Sequence, residues 1–110
     1  MISGFRVLGL AFVLIAAVLA APKAKADELT TLGLPPDLGR DEVEAYCGAC
    51  HSLKLVVQQG LSKDAWDELL VYMIEEHEME PMARTDRKLV LDYLSKHLSI
   101  EAVRQKRKRR

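Results

Sequence analysis

Five consecutive residues, Cys47-Gly48-Ala49-Cys50-His51, constrain this chain more than any other feature. They contain its only two cysteines, set two residues apart and followed at once by a histidine. That arrangement is the attachment signature of haem c. Each thiol adds to one vinyl group of the porphyrin, and one turn of helix sets the two sulfurs at the spacing of those vinyls. The adjacent His51 then turns its imidazole to the iron from the same side. The expected cofactor is one covalently attached haem c, bonded to Cys47 and Cys50, with His51 as the proximal axial ligand. A disulfide between Cys47 and Cys50 would close too short a loop to stabilise much. A thioredoxin-like thiol site belongs beside a βαβ pattern, which this chain lacks. A structural zinc site wants four ligands in separated pairs, and only His77 and His97 remain, both on expected helix faces.

The first residues read as an export signal. Met1 to Arg6 is positive, Val7 to Ala21 is almost wholly apolar, and Ala24-Lys25-Ala26 supplies small residues before Asp27. The uncharged run between Arg6 and Lys23 is 16 residues, short of the roughly 20 that a spanning helix needs. Residues 1–26 are therefore expected to be a signal peptide cut after Ala26, which places the mature protein in the periplasm. The remaining 84 residues (27–110) are near the size at which one apolar core barely offsets chain entropy. A covalently held haem would supply the missing apolar centre.

Charge is uneven along the chain. Residues 27–100 carry seven Lys/Arg against fifteen Asp/Glu, while residues 101–110 carry six Lys/Arg against one Glu. An acidic body with a basic end points to electrostatic docking on protein partners and away from nucleic-acid binding. The end could also tether to an acidic partner or to anionic lipid headgroups.

Residues 27–39, with Thr30-Thr31, Gly33 and Pro35-Pro36, read as an extended segment. The domain proper is expected over 40–100 and to be all-α, with about three helices. The first runs from Arg40 to Cys50, with Val43, Tyr46 and Cys47 on one face. A loop, 51–61, follows. The second helix begins after Ser62 as N-cap, with Trp66, Leu69, Leu70, Met73 and His77 recurring at three- and four-residue steps. The third follows Thr85 as N-cap and carries Val90, Tyr93, Leu94, His97 and Leu98. The basic run in 101–110 reads as a disordered tail.

The second axial ligand has three candidates. A methionine thioether is soft and neutral, favours ferrous iron and raises the potential. Met73 falls on a helix stripe and reads as core filler. Met79 and Met82 lie in the break between the second and third helices. Met79, 28 residues beyond His51, is the first choice; Met82, after Pro81, is the second; His77 is the third. Trp66, Tyr46, Tyr72 and Tyr93 read as packing residues with a polar tip, and one of them is a candidate to hydrogen-bond a haem propionate.

Together these residues resemble the class I cytochromes c over residues 37–98. Within that class the chain is most similar to the small cytochrome subunit of periplasmic sulfite dehydrogenases. The resemblance rests on Leu34-Pro35-Pro36, Gly39-Arg40-Asp41-Glu42-Val43, Cys50-His51-Ser52-Leu53, Gln59-Gly60-Leu61-Ser62, Trp66, Met73, Glu75-Glu76, Met79 and Leu91-Asp92-Tyr93-Leu94. It implies a small class I fold around the haem, with His51 and Met79 as axial ligands. It also implies a molybdopterin catalytic subunit that oxidises sulfite and passes on the electrons. Two departures stand out. The family loop usually reads Gly-Met-Pro, where this chain has Glu78-Met79-Glu80-Pro81-Met82. Many members also follow the histidine with a proline whose carbonyl accepts its ring N–H, and here no proline lies between His51 and Glu80.

The function expected is single-electron transfer without catalysis. Its alternatives are a general soluble cytochrome c running between another dehydrogenase and a terminal oxidase, a haem enzyme or sensor with an open sixth position, and a thiol redox protein.

Overall fold

Ser and Gly residues punctuate this chain, and several helices of the computed structural model start or stop at them. Residues 21–110 are described. They form α1 (Ala21–Leu32), α2 (Arg40–Cys47), α3 (Leu53–Val57), α4 (Lys63–Glu76), α5 (Arg84–His97) and α6 (Ile100–Lys108). Among the described residues there is no strand, so the all-α expectation holds. No described helix is long and apolar enough to cross a membrane. The apolar run of the expected export signal lies outside the described residues; Ala21–Ala26, just upstream of the expected cut, belong to α1.

Ser52, Ser62 and Ser99 each accept a backbone N–H in the first turn of the helix they precede, from Lys54, Ala65 and Ala102. Each satisfies one of the donors that a helix start leaves free. Several expectations are corrected, beginning with the number of helices, six among the described residues rather than about three, and with the first expected helix, which ends at Cys47 rather than Cys50. The segment 27–39 is not extended throughout, because α1 reaches Leu32. There Thr30 and Thr31 bond back to the carbonyls of Ala26 and Asp27, and the chain turns only at Gly33, φ +116°. The loop 51–61 contains α3, started by Ser52 and held by buried Val56. The basic end is helical rather than disordered. Ser99 caps α6, Val103 is buried in the core, and Lys106, Arg107 and Lys108 lie in its last turn, where the helix dipole favours cations. The third expected helix also starts earlier, with Ala83 rather than Thr85 at its N-cap.

The long helix α5 organises the rest, packing on α2 and on α4. Gly39 makes the first of these contacts possible. A Cβ there would lie 2.4 Å from the Leu89 carbonyl oxygen and 3.0 Å from Tyr93 Cβ, and its φ of +92° suits glycine. At the far end of α5, the Leu98 carbonyl accepts the Leu61 N–H at 3.3 Å and Trp66 Nε1 at 3.2 Å, tying the start of α4 to it. Tyr93 donates its hydroxyl to the Pro35 carbonyl at 2.6 Å. Asp37 receives Lys96 at 2.6 Å and lies 2.8 Å from His97 Nε2. The segment before α2 is thus strapped onto α5. The core comprises Leu29, Leu34, Val43, Val56, Trp66, Leu70, Val90, Tyr93, Leu94, Leu98 and Val103. The expected stripes supply most of it.

Candidate functional site

The turn that carries the cysteines begins where α2 ends. Cys47 is the last residue of α2, Gly48 caps it with its N–H on the Glu44 carbonyl, and Cys50 and His51 follow in the turn beyond. Both thiols are free. Cys47 is half-buried against the core and Cys50 is exposed. Burial pushes the Cys47 thiol up to about 11, which keeps its sulfur neutral at ordinary pH. A neutral, apolar environment suits a thioether sulfur and opposes the thiolate that redox catalysis or metal binding by cysteine requires.

His51 is exposed and lines a cleft of about 720 Å³ between α1, the end of α2 and α3. Leu29, Leu32 and Leu53 give it an apolar wall, and Lys25, Glu28, Glu44 and Lys54 surround them. Its volume lies within the ~300–1,000 Å³ range of small-molecule and cofactor sites. Neither Met79 nor Met82 lines it. Among the described residues no three His, Cys, Asp or Glu side chains gather as a metal site built from protein alone would need. His77 and His97 stand apart from the cysteine turn: His97 pairs with Asp37 and stacks on Tyr93 at 4.6 Å.

The three candidates for the second axial position occupy different surroundings. His77 caps the C-terminus of α4, is exposed, and meets the Tyr72 ring edge-on at 4.9 Å. Met79 and Met82 are both half-buried and pack against the core. Between His77 and Met79 the chain reverses at Glu78, φ +56°. The Met73 carbonyl accepts both the His77 N–H at 3.2 Å and the Met79 N–H at 3.0 Å. The backbone of Met79 is therefore fixed to the end of α4, and that of Met82 is carried on the following stretch past Pro81.

Three of the four polar-tipped aromatics are already committed. Trp66 bonds Leu98, Tyr93 bonds Pro35, and Tyr46 donates to Asp86 at 2.8 Å. Among the described residues this leaves Tyr72, half exposed, with its hydroxyl unbonded. Asp86 also holds the Tyr46 phenol above its ordinary pKa, first through that hydrogen bond. Asp41, Glu42 and Glu80 gather round the same ring with Asp86, giving this side of the molecule an acidic surface.

The donor set fits a haem c. Two unbonded thiols lie in one turn, one of them neutral and half-buried, a histidine follows directly, and thioethers lie half-buried on the segment after α4. The sequence singled out all of these residues. It marked Glu78 as standing where the family loop has glycine, and the positive φ there shows that the turn keeps the glycine conformation. No protein-family model, curated protein or solved structure matches this chain.

Proposed function

We propose that the protein is an exported class I cytochrome c that carries single electrons, with haem bonded to Cys47 and Cys50. The observation that carries this reading is the free pair of thiols in a single turn, next to His51, in an all-helical chain. When bound, the haem iron supplies a one-electron couple whose potential its axial ligands set. His51 and Met79 would hold the haem iron, Met79 being favoured over Met82 by its anchored backbone and over His77 by its half-buried place against the core. Cys47, Leu53, Leu69, Met79 and Met82 are only partly buried; covering their remaining apolar surface would add to a small core. Tyr72, the one uncommitted aromatic hydroxyl of the four, is the residue available to a propionate. The acidic surface around Tyr46 suits a basic docking partner. On the resemblance, that partner is the molybdenum subunit of a periplasmic sulfite dehydrogenase, and this chain receives its electrons.

The test is expression in cells that mature c-type cytochromes. The exported protein should gain the mass of one haem. It should also show the weak long-wavelength band of methionine ligation, lost in Met79→Ala and kept in Met82→Ala. Colourless protein with Cys47 and Cys50 still open to alkylation overturns the reading. Rapid reduction by a sulfite-oxidising molybdenum enzyme in the presence of sulfite would support the partner assignment, and reduction no faster than that of an unrelated cytochrome would refute it.

A further inference from the structure

Away from the cysteine turn, one part of the surface leaves its charge unbalanced. Lys54 from α3 and Lys106, Arg107 and Arg110 from α6 and its end converge on a cleft of about 290 Å³, with Val57 and Val103 on its floor. No Asp or Glu side chain lines it. Several other cations are paired with carboxylates: Lys96 and His97 with Asp37, Arg87 with Asp67, Lys63 and Lys88 with Asp92. Among the described residues, none of the four cleft cations joins such a pair.

Two of the four cations are also held in place. Lys106 Nζ donates to the Gly33 carbonyl at 2.8 Å and to the His97 carbonyl at 3.4 Å. Arg107 Nη2 donates to the Gln58 carbonyl at 3.3 Å. These acceptors are neutral, so they orient the cations without cancelling their charge. Desolvation, then Arg110, pulls the Lys106 ammonium below its ordinary pKa.

We propose that this cleft binds a phosphate-type oxyanion. Arg107 and Arg110 offer planar, paired donors that match such an anion. Lys106 is a point charge fixed by two carbonyls, and Lys54 adds a fourth cation from α3. The volume, at the lower end of ~300–1,000 Å³ ligand sites, admits a tetrahedral group with room to spare. Free phosphate and a phospholipid headgroup share this chemistry. The site is independent of the haem reading and stands or falls without it.

The test uses the isotope-labelled full chain. Backbone amides of Gly33, Lys54, Val57 and residues 106–110 are followed by NMR as inorganic phosphate replaces chloride at constant ionic strength. A parallel arm measures sedimentation with phosphatidylglycerol vesicles against phosphatidylcholine vesicles. The expected result is saturable shifts confined to the cleft, weakened about tenfold or more in Arg107→Gln/Arg110→Gln. Lys54→Gln, which leaves α6 untouched, should weaken binding in the same direction, with helical content by circular dichroism unchanged in both variants. Saturation by phosphate without vesicle binding identifies the free anion, and vesicle binding displaced by phosphate identifies the headgroup. Three results overturn the proposal. One is shifts that chloride reproduces, another is vesicle binding that phosphate does not displace, and the third is no cleft response in either arm.

Discussion

At Glu78 the backbone takes φ +56°, a conformation that costs a residue with a Cβ about 1–2 kcal/mol. The resemblance places glycine here, and the turn keeps the glycine geometry without the glycine. Glu78→Gly should therefore stabilise the protein by about 0.5–1 kcal/mol, the relieved strain less the added freedom of the unfolded chain. Denaturant unfolding measures it. Tyr93 supplies a second test at this scale. Burial raises its phenol from 10.0 to about 12, with Asp37 adding to the shift and Arg40 opposing it. Its folded pKa lies above its unfolded value, so its contribution is complete below pH ~10 and is lost as pH rises through ~12. Tyr93→Phe should remove that alkaline slope from a plot of stability against pH, and should also cost roughly 1 kcal/mol at neutral pH through the lost bond to Pro35. Asp37 and Asp92 work at the acid end. Hydrogen bonds from Lys96 and His97, and from Lys88 and Lys63, hold them below the ordinary 3.8. Their contribution is present above pH ~4 and fades below it, and exposure keeps it small.

Among the elements, the α2–α5 crossing has the least tolerance. Gly39→Ala would combine a left-handed φ with a Cβ driven into the Leu89 carbonyl. The expected loss is about 2–4 kcal/mol, read as a lowered denaturation midpoint with an unchanged slope. The helix ends explain why the boundaries of α4 were legible while others were not. Ser62 before Asp64, and Pro81 after the α4 stripe, mark start and stop through local chemistry alone. Ser52 and Ser99 work by the same chemistry. Their helices went unread because α3 is short and the basic run in α6 masks Val103, its one buried contact.

For the whole molecule, the buried core among the described residues is eleven side chains, modest support for a domain this small. If haem completes it, Cys47→Ser/Cys50→Ser should melt more than about 10 °C lower than the loaded protein, since each ~1 kcal/mol moves the midpoint of such a domain by ~4–8 °C. Equal melting temperatures would show that the protein core stands alone. Charge is arranged at this scale too. The acidic surface by Tyr46 and the basic cleft at α6 are separate sites, so one molecule has faces for partners of opposite sign.

By itself the sequence determined the helical class, the stripes that became Val43, Trp66, Leu70, Val90 and Leu94, and the reactive turn from Cys47 to His51. Each is written within a few residues, in spacings of three and four or in one contiguous motif. Tertiary structure decided what depends on residues far apart. It sets Gly39 against the Leu89 carbonyl, spends the hydroxyls of Tyr46 and Tyr93 on Asp86 and Pro35, and brings Lys54 to Arg107 across a cleft. Such contacts join segments tens of residues apart, and only packing selects among the partners that local chemistry allows.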